Sequence, residues 1–386
     1  AWQRLEAGEE PEYYGTGQAE GKLGYVFPGQ GSQYVNMGRE LACVFPEFLQ
    51  SLEETGRDIA QAIFPRPVFD KEEEKEQQAF LTGTDKAQPA LGIMERGYFH
   101  LLERFGLTPE ATAGHSYGEL SALYAAGVID SEGLVALSRE RGRLMASQGD
   151  DLGTMMAVKG SVEAVEKVLK ESGTKAVLAN KNSHEQCVLS GSAEDLEALV
   201  PVLKKAKLRG IPIKVGAAFH SSYVAGARDP FLKFAGSVKF NKSDIPVYAN
   251  KTAGLYPKSA KAARTLLADQ LVNQVNWVDL VETMYSDGVR TFVEVGPKTV
   301  LTGLVKSILK DKDGVKVVSL DRSSGKKCSL LDFAAGLAEL AAYGLSVDLK
   351  SWEVEPKAQR LRRMTIPICG ANYRASKPKK PAVRKP

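Results

Sequence analysis

The pentapeptide Gly114-His115-Ser116-Tyr117-Gly118 has the pattern G-x-S-x-G, in which a serine hydroxyl stands on a tight turn between a strand and a helix. Glycines on either side permit a sharp backbone, and the unpaired amides and dipole of the following helix favour negative charge at the turn. Those are the requirements of a nucleophile that attacks a carbonyl and must stabilise the oxyanion it creates. A serine hydroxyl also needs a base, and the chain has four histidines, His100, His115, His184 and His220. His100 lies in an apolar helical stretch and suits a hydrogen-bonded core or surface role. His184 falls in the polar loop Asn182-Ser183-His184-Glu185 and is expected to face solvent. His115 adjoins the serine, but neighbouring side chains diverge at a tight turn, so it is expected to pack or hydrogen-bond beneath it. His220, in Ala217-Ala218-Phe219-His220-Ser221, is left as the base, at a point where the chain passes from one domain to another and clefts form. On these residues alone, a structural turn at 114–118 and a helix-start histidine without a catalytic role at 220 remain open.

The elements that must position these residues alternate between strand and helix. An apolar run over 23–27 reads as a buried strand entering the glycine-bearing turn Pro28-Gly29-Gln30-Gly31-Ser32-Gln33. A helix is expected from about 36, a charged helix face or loop over 71–78, a helix over 87–105 and a strand over 111–113. Helices over 116–126 and 131–147 follow. The stretch 153–216 has an order of its own: strand 154–158, helix 161–171, strands 176–179 and 186–190, helix 193–205 and strand 211–215, a split β-α-β pattern of the ferredoxin-like kind. Beyond it, a strand over 246–249, helices over 260–274 and 277–286, a strand over 291–295, a helix over 299–310 and a strand over 315–320 resume the first pattern. The fold class read from this order is α/β: a large α/β-hydrolase-like domain with a mainly parallel sheet, plus an inserted small ferredoxin-like domain. The boundaries are a linker over 1–21, the large domain over 22–152 and 217–350, the small one over 153–216 and a second linker over 351–386.

A chain of 386 residues with 43% apolar residues can bury a large core. No window reaches the roughly 18 to 20 consecutive apolar residues that cross a bilayer, and residues 1–21 are polar, acidic and unlike a signal peptide. A cytoplasmic protein with no membrane partner is expected. Cys43, Cys187, Cys328 and Cys369 are spread too widely for a metal knuckle, so reduced thiols and no metal site are the reading. The net charge of +4 is no argument for nucleic acid. It is unevenly spread: residues 350–386 hold eleven Lys and Arg against two Glu, and the last ten alternate Lys, Arg and Pro as a solvated tether does. With weakly apolar ends on both sides, the chain reads as a piece of a longer polypeptide.

Four blocks, Pro28-Gly29-Gln30-Gly31-Ser32-Gln33, Gly114-His115-Ser116-Tyr117-Gly118-Glu119, Arg141-Gly142 and Ala218-Phe219-His220-Ser221, resemble those of malonyl-CoA:acyl carrier protein transacylases and of the acyltransferase domains of polyketide and polyunsaturated fatty acid synthases. The resemblance spans about 23–345, with the blocks in the family's order and spacing. It implies Ser116 as the acylated nucleophile, His220 as its base, the backbone N–H groups of Gln30 and Tyr117 as oxyanion hole, and a carbonyl at Gln270 orienting the histidine. It implies that Arg141 forks onto the malonyl carboxylate, a contact lysine would not reproduce, and that Phe219 resembles malonyl-selective members and leaves no room for an extra methyl. The rival for Arg141 is a surface ion pair, since its neighbours Arg139, Glu140 and Arg143 form a charged cluster. The substrate implied is malonyl-CoA, the partners are acyl carrier protein domains with their phosphopantetheine arm and neighbouring synthase domains, and no cofactor is permanently bound. An aromatic at Tyr117 resembles type I iterative synthases of the polyunsaturated fatty acid and enediyne kinds, and the segment Ile366-Pro367-Ile368-Cys369-Gly370-Ala371-Asn372-Tyr373 resembles the post-acyltransferase linker of the former. Two alternatives are a serine esterase or thioesterase of the α/β-hydrolase type, which would need a carboxylate on its histidine and usually a His-Gly-Gly-Gly loop absent here, and a catalytically silent docking module.

Overall fold

The structure is a computed structural model that describes residues 18–54, 56–147, 152–213 and 215–352. Cys369, the 366–373 segment and nearly all of both expected linkers lie outside the described residues. Residues from Leu349 onward form a second unit, of which the 3₁₀ turn Leu349–Trp352 is described.

Two sheets organise the first unit. Strands β1 (Lys22–Phe27), β2 (Ala111–Gly114), β7 (Val247–Tyr248), β8 (Val289–Glu294) and β9 (Lys316–Ser319) form a parallel sheet in the order β7-β2-β1-β8-β9. Helices cover it, and a core built on Val26, Ala113, Trp277, Phe292 and Val305 fills one face. Strands β3 (Thr154–Lys159), β4 (Val177–Ser183), β5 (Gln186–Gly191) and β6 (Arg209–Ile213) form the second sheet, antiparallel throughout, in the order β4-β5-β3-β6. With helices Val162–Ser172 and Ala193–Lys205 burying Val165 and Leu199 in one cluster with Val158 and Leu189 of the strands, this is the ferredoxin-like pattern expected for the insert. Both helices are stopped at their N-termini by a serine: Ser161 accepts from Ala164 N, and Ser192 from Asp195 N.

The insert leaves and rejoins the large domain at one place, because Ala218 N donates to Leu152 O at 2.7 Å. Its outer strand β4 is fastened to the large domain: Lys181 N donates to Val275 O, and Val275 N to Ala179 O.

Several elements depart from the sequence reading. The helix expected over 260–274 ends at Asp269, since Gln270, Leu271 and Val272 turn back on themselves and Val275 is recruited as a partner for β4. The strand expected over 211–215 lies at Arg209–Ile213 in register with β3, where Arg209 faces Lys159. The charged run at 71 is a helix, Lys71–Thr82, begun by the Asp70 side chain on Glu72 N. Helices Pro46–Glu53, Arg57–Ile63, Ala225–Ala235 and Ser329–Ala342 had no sequence-based expectation.

Candidate active site

Parallel pairing places the working ends of three strands side by side. Phe27 is in register with Gly114 and Ala113 with Tyr248, so the loops after β1, β2 and β7 emerge together and carry Gln30, Ser116 and Asn250. Sites in open parallel sheets form at this carboxyl edge.

The turn at Ser116 is tight enough to require both of its glycines. A Cβ on Gly114 would lie 1.9 Å from the Gly118 carbonyl carbon, and one on Gly118 would lie 2.1 Å from Phe27 O. Between them Ser116 takes φ +53, a left-handed conformation that costs a non-glycine residue free energy and must be held from outside. Asn250 does the holding: its Oδ1 accepts from Ser116 N at 2.6 Å and its Nδ2 donates to Gly114 O at 2.6 Å. Asn250 N in turn donates to the Glu119 carboxylate, which also accepts from Tyr256 Oη at 2.7 Å. Burial pushes Glu119 up to about 7.

His220 comes from the chain leaving the insert and also has a left-handed backbone, φ +58. Ser190 Oγ donates to Phe219 O and Ser221 Oγ to Ala218 O, so the residues before it are pinned from both sides. Its Nε2 lies 2.7 Å from Ser116 Oγ. Its Nδ1 lies 3.0 Å from Gln270 O and 3.1 Å from Asn273 O. Two carbonyl acceptors require the proton on Nδ1, which leaves Nε2 free to accept from the serine. Those carbonyls are available because the helix stops at Asp269 instead of drawing them into its own ladder. Burial, followed by the charge of Arg141, drives the His220 pKa down to about 3, so the imidazole is neutral at rest.

The other histidines lie apart from this pair. His115 Nε2 bonds Asn182 Oδ1 at 2.8 Å and its ring packs against Trp277, beneath the turn as expected. His184 is half exposed, near Glu282. His100 bonds Glu103 and Tyr124.

Arg141 is 1% exposed. Arg139 pairs with Asp58 and Arg143 with Glu140, but among the described residues Arg141 has no carboxylate within ion-pair distance. Its one protein acceptor there is Gln270 Oε1, 3.1 Å from Nη2. The guanidinium lies 6.0 Å from the centre of the Tyr117 ring. Burial lowers its pKa to about 10, and it remains charged at neutral pH. A buried cation without a counter-ion is costly unless an anion arrives.

Ser116, His220, Arg141, Phe219 and Gln30 line one cavity of about 230 Å³. Met155, Asn180, Val188 and Ile213 of the small sheet form its opposite wall. Among the described residues, the amides of Gln30 and Tyr117 have no protein acceptor. The Tyr117 side chain points away, with its hydroxyl donating to Ser138 Oγ at 2.6 Å. A larger cavity, about 710 Å³, lies between Val35 and Gln78 and contains neither Ser116 nor a histidine. No group of three or more His, Cys, Asp or Glu among the described residues could hold a metal, and none of their helices is long and apolar enough to cross a membrane.

The structure thus brings together Ser116, His220, Arg141, Gln30, Phe219 and Gln270. Sequence reasoning missed Asn250, the second carbonyl at Asn273 and the side chain of Gln270. The dipeptide Ala249-Asn250 after an apolar strand was the only available signal for the first.

The family described as acyl transferase domain matches residues 24–340. Over 384 residues the chain is 31% identical to a polyunsaturated fatty acid synthase polypeptide of Thraustochytrium sp., an alignment that covers 94% of this chain and 13% of that protein. It is 33% identical over 295 residues to the malonyl CoA-acyl carrier protein transacylase of Bacillus subtilis, covering 74% of this chain and 90% of the relative. Among solved structures, the acyltransferase domain from the second module of the salinomycin polyketide synthase superimposes with a TM-score of 0.81 at 29% identity, over 95% of this chain and 84% of that one.

Proposed function

Since the chain belongs to the acyl transferase domain family and is an acyltransferase, we propose that it transfers malonyl from coenzyme A, through Ser116, to the phosphopantetheine thiol of an acyl carrier protein. The observation that carries the reading is the pairing of a nucleophile-base contact of 2.7 Å with a buried arginine that has no carboxylate of its own among the described residues. Acyl transfer needs only the first; an acyl chain that ends in a carboxylate needs both.

In the first half-reaction Ser116 Oγ gives its proton to His220 Nε2 and attacks the thioester carbonyl. The oxyanion is received by the amides of Gln30 and Tyr117. The C–S bond breaks, and the departing coenzyme A thiolate takes the proton from His220. In the second half the carrier thiol gives its proton to His220 and attacks the serine ester. The C–O bond breaks, and Ser116 recovers the proton. Arg141 holds the distal carboxylate throughout, and Phe219 limits bulk beside the base.

A hydrolase reading finds less support. Water would replace the carrier thiol as acceptor, and the histidine would be served by a carboxylate, whereas the two partners of His220 Nδ1 are carbonyls. Intact-mass measurement after exposure to a panel of acyl-CoA thioesters separates the two: a lasting malonyl adduct on Ser116, discharged by holo carrier protein, is expected, and steady release of malonate without an adduct would reject the transferase reading. The similarity to part of a polyunsaturated fatty acid synthase supports a place within such a synthase; carrier and other domains as neighbours, with no resident cofactor, complete the proposal. A cytoplasmic location goes with that proposal.

The depressed pKa of His220 gives a pH test. The base must be neutral, and the free-enzyme value of about 3 puts its protonation far below the ordinary histidine range. The kcat/KM for acylation is therefore expected to hold from neutrality down to about pH 5, where an imidazole of ordinary pKa, about 6.5, would be almost wholly protonated. A midpoint between about 6 and 7 in a quenched-flow profile would contradict it.

A further inference from the structure

We infer that the side chain of Gln270 is a specificity-determining positioning residue: it ties Arg141 to the nucleophile turn with a neutral group, so that the arginine's charge stays available to the acyl carboxylate. The inference deepens the malonyl-transfer reading of the same site and rests on it.

One residue makes three connections here. The Gln270 backbone carbonyl accepts from His220 Nδ1, its Nε2 donates to Ser116 O at 2.7 Å, and its Oε1 accepts from Arg141 Nη2 at 3.1 Å. The residue is 1% exposed, so these contacts are not exchanged with bulk water. Only the first depends on the backbone; the other two depend on an amide, which offers a donor and an acceptor at once. Nucleophile turn, base and carboxylate anchor are thereby set by one short segment.

Neutrality is the decisive property. A carboxylate in the same place would pair with Arg141 and cancel the charge the substrate needs. Glu119, whose charge Arg141 also feels, has its oxygens occupied by Asn250 N and Tyr256 Oη and makes no ion pair with the guanidinium. On another side the Tyr117 ring faces Arg141, and the Tyr117 hydroxyl reaches Ser138, one turn earlier on the arginine's own helix. Arg141 is thus bounded by an amide, an aromatic ring and a carboxylate already engaged, which fixes its direction without neutralising it.

Gln270→Glu and Gln270→Met both keep the backbone carbonyl that orients His220. Binding is read by calorimetry in the Ser116→Ala background, with malonyl-CoA and free coenzyme A as probes. Gln270→Glu is expected to weaken malonyl-CoA by about 10- to 100-fold, the scale of a charge-assisted contact, while coenzyme A changes by less than about twofold. Gln270→Met leaves the arginine charged but less fixed, and a smaller selective loss, about three- to tenfold, is expected. Equal losses for both probes in either variant, or no loss for either probe, would overturn the inference by reducing Gln270 to a packing residue. Absence of a malonyl adduct on the unmodified protein would instead overturn the parent reading, so the two failures are distinguishable. If Gln270→Glu does not fold, Gln270→Met decides alone.

Discussion

Ser116→Ala is expected to abolish acyl-enzyme formation, with the acylation rate falling by roughly 10⁵- to 10⁶-fold, the scale seen when a serine nucleophile is removed from a unit that acts together with its base. No other hydroxyl can take over. The nucleophile's position depends on the left-handed backbone at Ser116 together with the Asn250 clamp, and it sets the Ser116 hydroxyl 2.7 Å from His220 Nε2. The fold should survive, because the side chain is only partly buried and its hydroxyl contacts only His220. A normal melting curve together with an unlabelled protein by intact mass after malonyl-CoA treatment is the expected pair of results. A surviving adduct that maps elsewhere would remove Ser116 from the mechanism.

The second large effect is expected at Arg141. Truncating one partner of a buried charge pair costs about 2 to 5 kcal/mol, so Arg141→Ala should lower kcat/KM for malonyl-CoA by roughly 30- to several thousand-fold. Uncharged acyl thioesters make no use of the guanidinium and should lose far less, so the order of preference moves toward them. Lysine at this position keeps the charge but not the fork and should restore only part of the loss. Parallel acylation rates with malonyl-CoA and acetyl-CoA check this. An unchanged ratio would mean that Arg141 does not meet the carboxylate.

Much of this site was legible because its chemistry lies in side chains at fixed spacing along the chain. The G-x-S-x-G pattern marked Ser116, and elimination among four histidines marked His220. The alternation of strand and helix disclosed the parallel sheet and the ferredoxin-like insert. What stayed hidden depends on backbone and on tertiary pairing. The carbonyl of Asn273 matters only because the helix stops at Asp269, and it stops there because Val275 is drawn onto β4, a contact nearly a hundred residues distant in sequence. Asn250 follows a strand that the sequence did disclose, over 246–249, but only parallel pairing with β2 sets it against the nucleophile turn. The link from Gln270 to Arg141 joins residues 129 positions apart, and no local pattern encodes such a reach. Helices such as Ala225–Ala235 escaped for a plainer reason: Pro230 and Gly226 interrupt the apolar spacing that would have announced them.

The meeting of Leu152 and Ala218 has a practical outcome for engineering. Because the ferredoxin-like segment begins and ends at a single doorway, exchanging it for its counterpart from a relative needs two junctions, provided the replacement strand still pairs with Val275 and a hydroxyl still holds Phe219. Such a graft would replace Met155, Asn180, Val188 and Ile213, one whole side of the acyl chamber, while Ser116, Arg141 and Gln270 stay in place. The wall and the apparatus that makes and breaks bonds are nonetheless coupled: β4 holds the segment whose carbonyls meet His220, and Ser190 Oγ holds the residue before that histidine.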